Sequence, residues 1–208
     1  MRQVTGSNPI PKQNEVSIRL NSGGHSFSAN TLSALAQRAD REPNIRFVFV
    51  IDTPRVTLVP CEEFSTEASE SYLAVCGIEC QPNEIAIATN RLASIVAVVA
   101  INRTTYESII AKLGERAEFT TPLLDDRHPE QHCVSIYVGE SVCYVRYHKA
   151  EGLRFAEALT LGSDEDLLYY TMRIFEAESI ALNTPIYING SHSVAKLLKR
   201  YFKHVICE

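Results

Sequence analysis

The stretch that decides the fold is HCVSIYVGESVCYVRYH, residues 132–148, which is followed by LRFAEALTL at residues 153–161. Within it, Val134, Ile136 and Val138 occupy every second position, and this alternation is the pattern of a half-buried β-strand. A turn that contains glycine separates this segment from VCYVRYH, and a second turn precedes LRFAEALTL. The stretch therefore predicts three strands in meander order.

The residues after this meander predict a helix, a fourth strand and a last helix. Ser163 precedes three acidic residues, which is a typical helix start, and apolar residues then recur at helical spacing. Thr184-Pro185 ends that pattern, and Ile186–Ile188 is a short apolar strand before the turn at Asn189-Gly190-Ser191. We expect the final helix from Val194 to Phe202.

The beginning of the chain repeats the opening of this pattern. Val16-Ser17-Ile18 recurs as Val134-Ser135-Ile136, and each is followed by a turn that contains glycine. Asn21-Ser22-Gly23-Gly24 supplies residues that tolerate positive φ angles in a tight hairpin, so we predict a returning strand over residues 25–30 and a helix over residues 31–40. The echo indicates an internal duplication.

Between the two repeats the sequence predicts further strands and helices. Ile45–Ile51 and Ser94–Ile101 are apolar runs too short for helices, and the first is typical of a strand buried on both faces of a parallel sheet. Strands are also predicted at residues 56–59 and 84–90, and helices at residues 62–75 and 104–113. The predicted organisation is a flexible lead-in over residues 1–15, a first lobe over 16–126 and a second, shorter lobe over 127–208, with a hinge at 125–129.

The composition argues against several classes of function. A net charge of -5 gives no general attraction to nucleic acid, whose binding would need Arg19, Arg55, Arg103, Lys196 and Arg200 to converge on one face. No segment is apolar for long enough to span a membrane, and the first residues lack the apolar core of a secretion signal. The six cysteines form no CxxC pair and are predicted to be reduced thiols. We therefore predict a cytoplasmic protein.

Few residues suggest chemistry, and each of them has a structural explanation as well. His128 and His132 have a metal-like spacing only on a helix, which the proline between them argues against. Cys76 and Cys80 have no second pair to complete a tetrahedral metal site, and the sequence contains no GxSxG motif. Asp52 follows a buried strand, at the sheet edge where α/β proteins bind ligands, although Asp-Thr-Pro is also a strong turn former. We predict no metal site and no catalytic residue.

A strand meander, a helix, a strand and a helix, present twice in one chain, resemble the duplicated ribonuclease-H-like fold of the actin-like ATPase superfamily. The sequence is more similar still to one family of uncharacterised Bacteroidetes-type proteins, which look like reduced relatives of the actin-like proteins of pilus assembly. The stretches that carry this resemblance are VSIRLNSGGHSFS (16–28), IDTPRVTLVPCEEF (51–64), VAINRTTYESIIAKL (99–113), FTTPL (119–123), CVSIYVGESVCYV (133–145), LLYYTMRIFEAE (167–178) and PIYINGSHSVAKLLKRYFKHV (185–205). The resemblance implies an α/β protein of two ribonuclease-H-like lobes, each with a mixed sheet of meander strands and helices.

The resemblance also implies where a nucleotide would bind. Actin-like ATPases hold ATP and Mg²⁺ between their lobes on two phosphate hairpins, each of which begins at an acidic strand end. Here the first hairpin carries Asn21 and no carboxylate, while Tyr137 stands at the acidic position of the second, with Glu140 nearby. Gly190-Ser191 occupies the place of the turn that contacts adenosine. The implied inter-lobe cleft consists of Gly23, Gly24, Gly139, Ser141, Gly190 and Ser191.

Two functions are compatible with these patterns. Because both acidic strand ends are missing, the first is a non-catalytic scaffold or protein-binding module that needs no cofactor. The pilus-assembly relatives bind a partner peptide, so the expected partner is another protein. The alternative is an ATP-binding switch with weak or no hydrolysis, which requires the six glycine and serine residues to line one cleft that Glu140 or Asp52 faces.

Overall fold

A computed structural model describes residues 15–25, 27–89, 94–124 and 132–208 of the chain. The strands of this part are β1 (Glu15–Asn21), β2 (Arg46–Asp52), β3 (Val56–Pro60), β4 (Glu84–Ala88), β5 (Ile95–Asn102), β6 (Ala117–Thr120), β7 (Cys133–Val138), β8 (Val142–Lys149), β9 (Gly152–Thr160), β10 (Ile186–Asn189) and β11 (Val205–Cys207). Its α-helices are α1 (Ala29–Arg41), α2 (Ser69–Val75), α3 (Arg103–Leu113), α4 (Asp164–Ala177) and α5 (His192–Leu198).

Strands β1, β2 and β6 form a three-stranded parallel sheet with β2 in its centre. One face carries Phe47, Phe49 and Ile51, which are fully buried in a core cluster with residues of α1 and α3. The opposite face carries Val48 and Val50, which are only partly buried. The predicted parallel strand over residues 45–51 is confirmed. The prediction that this strand is buried on both faces is wrong, because α1 and α3 pack against one face only.

Strands β3, β5 and β4 form a second, antiparallel sheet in that order. Helix α2 packs on one face of it through Leu73, which clusters with Val98 and Ala100 of β5. The alternate residues Val99 and Ile101 belong to the main core on the other face. Because the central strand β5 is buried on both faces, its sequence is an almost uninterrupted run of apolar residues.

The last third of the chain forms a five-stranded mixed sheet in the order β11-β10-β7-β8-β9. The meander predicted over β7, β8 and β9 is confirmed, since both pairings are antiparallel. Strand β10 runs parallel to β7, and β11, which the sequence patterns did not indicate, runs parallel to β10. Val145 and other residues on one face pack with α4 and α5, whereas Val142 and Tyr144 on the opposite face of β8 join the core of the first half.

The hairpin predicted at residues 21–24, with a returning strand over residues 25–30, is wrong. The chain makes a single 3-10 turn at Ser22–Gly24, and α1 already begins at Ala29. Strand β1 is paired with β2, and the two run in parallel. The two halves therefore share an opening strand and a glycine turn, and the described residues of the first half show no meander after that strand.

Tertiary packing and a helix cap explain this difference. Gly23 has a φ of 63° and lies against β5, where a Cβ atom would come within 3.2 Å of the Ala100 carbonyl oxygen. Ser28 then caps α1, because its Oγ accepts a hydrogen bond from the Thr31 backbone N–H at 3.1 Å. The two glycines allow the turn to pack closely against residues about 80 positions away, and the types of residue in the turn do not by themselves predict this packing.

The helix predicted over residues 62–75 begins later than expected. A single 3-10 turn at Thr66–Ala68 precedes α2, which covers only Ser69–Val75. The Tyr72 hydroxyl donates to the Glu63 carbonyl at 2.6 Å and accepts from the Ser65 backbone N–H at 3.0 Å. These bonds hold the preceding residues in a loop.

Two of the predicted segments lie outside the described residues. The lead-in is described only at Glu15, and the hinge at residues 125–129 is not described at all. The boundary between lobes at residue 126 thus stays a prediction. Within the described ranges, no helix is both long and apolar enough to cross a membrane.

Candidate functional site

The carboxyl ends of β1 and β2 meet the turn between β7 and β8. Asn21 and Asp52 are the last residues of their strands and are paired in register. From the other half of the chain, the turn Gly139-Glu140-Ser141 approaches them, and the Asn21 Nδ2 atom donates to Glu140 Oε2 at 3.2 Å. The two halves of the chain therefore touch at the strand ends where the sequence predicted a cleft.

Gly139 brings its backbone directly onto the Asp52 carboxylate. A Cβ atom at residue 139 would lie 2.7 Å and 2.9 Å from the two carboxylate oxygens, and 3.0 Å from the Val142 carbonyl oxygen. Cβ atoms essentially never approach other atoms this closely, so any residue larger than glycine would force the Asp52 carboxylate to move. Asp52 itself is 4% exposed.

A buried tyrosine connects this contact to the turn after β2. The Tyr144 hydroxyl accepts from the Thr53 backbone N–H at 2.6 Å and lies 2.9 Å from Asp52 Oδ1 and 3.0 Å from the Thr53 carbonyl oxygen. Because the phenol has one proton, it can donate to either oxygen but not to both. If Asp52 is protonated, its own O–H donates to Tyr144, and the phenol proton is free for the Thr53 carbonyl.

Burial favours this protonated arrangement. Removal from water raises the pKa of the Asp52 carboxyl, and the negative charge of Glu140 raises it as well, while the Tyr144 hydrogen bond and the charge of Arg19 act in the opposite direction. Burial and the neighbouring Asp52 likewise raise the pKa of the Tyr144 phenol. The contact between the halves is hydrogen-bonded, and burial favours the neutral form of Asp52 within it.

Gly190, Ser141 and Ser191 of the predicted cleft lie in two turns: Ser141 is in the turn after β7, and Gly190 and Ser191 are in the turn between β10 and α5. Gly190 has a φ of 105°, and a Cβ atom there would clash with the Val138 carbonyl oxygen at the end of β7. Ser191 is the N-cap of α5, and the Ser141 carbonyl accepts from the Leu161 backbone N–H at 2.9 Å. Gly190 therefore packs against Val138, the last residue of β7, and Gly139 is the next residue in the chain.

The two glycines of the first half are directed elsewhere. Gly23 lies against Ala100 and near the Thr53 side chain, while a Cβ at Gly24 would lie 3.1 Å from the Thr105 side chain at the start of α3. The Thr105 hydroxyl also donates to the Gly24 carbonyl at 2.8 Å. Gly24 is thus part of the packing between the first turn and α3.

A second cluster of charged residues lies beside the antiparallel sheet. Glu84 is buried, and its carboxylate contacts Arg55 at 2.8 Å, His25 at 3.3 Å and the Gln81 backbone N–H at 2.8 Å. A buried carboxylate that is paired and hydrogen-bonded in this way is a structural junction between the first turn and β4. Across the described ranges, no three His, Cys, Asp or Glu side chains lie close enough to hold a metal ion.

Sequence reasoning singled out Asp52 and Glu140 but missed Tyr144 and Glu84. Tyr144 is paired in register with Tyr137 on the same face of the meander. A tyrosine at a position predicted to face the protein interior could have indicated a buried hydroxyl that needs hydrogen-bond partners. Glu84 begins a strand and has no distinguishing neighbours in the sequence. Only the fold brings Arg55 and His25 to it.

Comparison with known proteins identifies this architecture. The structure is similar to a protein of Bacteroides thetaiotaomicron with an actin-like ATPase fold and unknown function, with a TM-score of 0.71, 18% identity, and coverage of 95% of this chain and 91% of that chain. It is also similar to a chain of the PilM-PilN type IV pilus biogenesis complex, with a TM-score of 0.50, 15% identity, and coverage of 98% and 80%. The chain therefore has an actin-like ATPase fold, as the resemblance implied. No curated protein matches the sequence. A family model described as "Protein of unknown function (DUF3822)" matches residues 45–205.

Proposed function

The chain belongs to the DUF3822 family of proteins of unknown function, and we propose that it is a non-catalytic cytoplasmic module that binds another protein. The single observation that carries this proposal is the direct contact between Gly139 and Asp52. In an actin-like ATPase the phosphates lie between the two turns that meet here. A fold whose nucleotide position is occupied by its own side chains is more suited to presenting a surface than to turning over a substrate.

The residues at this contact do not fit a nucleoside triphosphate with Mg²⁺. Asp52 and the Asn21–Glu140 hydrogen bond occupy the space between the turns. An actin-like ATPase would have acidic residues at two strand ends to organise the metal. This chain has Asn21 and Tyr137 at those positions, and neither can supply a carboxylate. Asp52 is engaged by Tyr144. A phosphate brought beside the negative charge of Glu140 would be repelled.

Binding of another protein agrees with the kind of relative that shares this fold. One structural neighbour is a chain of the PilM-PilN complex, an assembly of two proteins in type IV pilus biogenesis. Its identity to this chain is 15%, so that neighbour supplies the fold and a precedent for a protein partner. The identity of the partner of this chain does not follow from it.

The surface that we assign to the partner lies between β9 and α4. In the described chain, β9 is hydrogen-bonded on one side only, to β8, so one edge of a nine-residue strand is unpaired. Beside it is a groove of about 340 Å³ lined by Leu159, Tyr170 and Arg173, among other residues. Tyr169 of α4, which also lines this groove, is 61% exposed. An unpaired edge beside aromatic side chains is suited to an extended segment of a second protein that adds to the sheet.

Photo-crosslinking tests this proposal directly. We expect a crosslinker introduced at Tyr169 in the producing organism to capture one protein species, which then binds the purified chain and fails to bind a variant with Arg173→Glu in the groove. A crosslinker at Val75, which is 88% exposed on α2, is the matched control and should not capture that species. Equal capture from both positions, or an identified species that binds Arg173→Glu as well as the unmodified chain, contradicts the proposed surface.

Thermal unfolding with Mg-ATP tests the alternative of a nucleotide switch. A ligand at about 100 times its dissociation constant stabilises a protein by about 2.7 kcal/mol, which corresponds to several degrees for a chain of this size. We expect no magnesium-dependent change with millimolar ATP, ADP or GTP. A clear magnesium-dependent increase in the melting temperature would overturn the proposal in favour of the switch.

A further inference from the structure

A groove lies on the partly covered face of the parallel sheet, near the carboxyl ends of its strands. Its volume is about 570 Å³, and it is lined by Ser17, Arg19, Val50, Thr120, Thr121, Pro122, Leu124 and Tyr137. Arg19, Val50 and Thr120 lie near the ends of three parallel strands, and the second half of the chain contributes Tyr137. Parallel α/β sheets bind ligands at this end, and the volume is in the range of small-molecule sites.

Two hydroxyl groups in this groove have no hydrogen-bond partner within the part of the chain that the structure describes. The Oγ1 atom of Thr121 and the phenolic oxygen of Tyr137 are both buried from solvent and unpaired. Thr121 as a residue is only 2% exposed. An unpaired buried hydroxyl costs free energy in the unliganded protein, so both are groups that a ligand would satisfy. Rotation about χ1 allows the threonine hydroxyl to turn towards the groove.

The groove also contains a cation, Arg19, that none of the described carboxylates pairs with. The guanidinium of Arg19 stacks over the Tyr137 ring at 4.9 Å from its centroid, and no ion pair within the described residues engages it. Asp52 interacts with Arg19 only at longer range, and its carboxylate is bonded to Tyr144. The guanidinium retains its fork of N–H donors for a ligand.

We propose that this groove binds a small organic carboxylate. The ligand's carboxylate accepts hydrogen bonds from Arg19 and from the hydroxyls of Thr121 and Tyr137. Its apolar body packs on Val50, Pro122 and Leu124. This site is separate from the partner surface at β9 and α4, and it requires neither a protein partner nor a nucleotide.

Titration with a carboxylate and its uncharged amide tests the site. Benzoate and hexanoate are the probes, benzamide and hexanamide are their controls, and binding is followed by two-dimensional NMR of the full chain. We expect saturable shifts of groove residues by the carboxylates, with dissociation constants on the order of 1 mM, and no saturable shifts by the amides. Absence of saturable binding by both carboxylates, or equal binding of the amides, overturns the proposal.

Matched variants separate the site from general electrostatic attraction. Arg19→Gln should weaken benzoate binding by roughly tenfold to a hundredfold, because hydrogen bonds to a charged group are lost. Arg46→Gln removes the same charge from the same sheet face at the opposite end of β2, and it should leave the affinity unchanged. If Arg46→Gln weakens binding as much as Arg19→Gln, the groove is not the site.

The variant Thr121→Val tests the role of the unpaired hydroxyl. The two side chains have nearly the same shape, so the substitution removes one polar atom that has no partner. We expect an unchanged or raised melting temperature together with benzoate binding that is several-fold weaker. A lowered melting temperature with unchanged benzoate affinity would show that the hydroxyl is structural, and it would remove Thr121 from the site.

Discussion

Asp52 is the residue that most directly links the two halves of the chain, and its protonation state sets the character of that link. Its carboxylate contacts the Gly139 backbone and the Tyr144 hydroxyl, and both Asp52 and Tyr144 are almost completely buried. Buried carboxylates that lack a cationic partner at contact distance destabilise the folded state when they ionise. The residue is therefore expected to oppose folding at neutral pH.

We expect Asp52→Asn to be more stable than the unmodified protein at pH 7, by an amount on the order of 1 kcal/mol. Burial raises the pKa of Asp52 above its ordinary value of 3.8, so the folded state binds this proton more tightly than the unfolded chain. The contribution of Asp52 to the free energy of unfolding is fully present below about pH 4, and it decreases as the pH rises through the raised pKa of the folded state. Asparagine cannot ionise and still donates to Tyr144. Urea unfolding between pH 4 and pH 8 measures the difference, which should widen towards neutral pH.

The control for this prediction is Asp40→Asn. Asp40 is exposed near the end of α1, and its substitution should change the free energy of unfolding by less than about 0.5 kcal/mol at every pH. If Asp52→Asn unfolds more readily than the unmodified protein at pH 7, the ionised carboxylate is a required part of the contact.

Residue-level prediction from the sequence succeeded where the signal was local. Asp52 was recognised because it directly follows an apolar strand, and Ser163 because three acidic residues follow it. Tyr144 could not be recognised in this way, since its three hydrogen-bonding contacts are to Asp52 and Thr53, which are about ninety positions away. The unpaired hydroxyl of Thr121 has no signature in the sequence at all.

At the scale of elements, local patterns predicted the second half better than the first. The meander β7-β8-β9 has short turns between neighbouring strands, so alternation and turn residues were sufficient. The turn at Ser22–Gly24 has similar chemistry, yet it leads into α1, because Gly23 packs on β5 and Ser28 caps the helix. Strand β11 is only three residues long and was not separable from the end of the chain.

Helix α4 offers a test of whether its start signal stabilises the protein as the sequence suggests. Ser163 Oγ accepts from the Asp166 backbone N–H at 3.2 Å, and the Asp166 carboxylate accepts from the Ser163 backbone N–H at 2.9 Å. This capping box satisfies N–H groups that the helix cannot satisfy itself. We expect Ser163→Ala to lower the free energy of unfolding by about 1 kcal/mol, measured by urea unfolding.

The same substitution at Ser33 is its control. The Ser33 hydroxyl lies inside α1, donates to the Ala29 carbonyl at 2.9 Å and accepts from Lys112 Nζ at 3.2 Å, so alanine there is expected to change the free energy of unfolding by less than about 0.5 kcal/mol. Equal losses from Ser163→Ala and Ser33→Ala would mean that the capping box contributes nothing specific to α4.

At the scale of the whole molecule, strand β8 belongs to two cores. Val142 is in the cluster built by the first half of the chain, and Val145 is in the cluster that α4 and α5 complete. Both side chains are almost fully buried. Two lobes joined only by a hinge would each keep a core of their own. A strand that packs on both sides instead couples the two halves energetically.

This coupling predicts a single cooperative unfolding transition. We expect one calorimetric peak, and we expect Val142→Ala and Val145→Ala each to destabilise the protein by about 2 kcal/mol through lost apolar contacts. Each variant should lower the same melting temperature by about 4–8 °C for a chain of this length. If the halves were independent, calorimetry would resolve two peaks, and Val142→Ala would shift only one of them while Val145→Ala shifted the other. A single peak that both variants move implies that the halves cannot open without loss of core packing, because separating them would expose Val142 and Tyr144 together with the Asp52 contact.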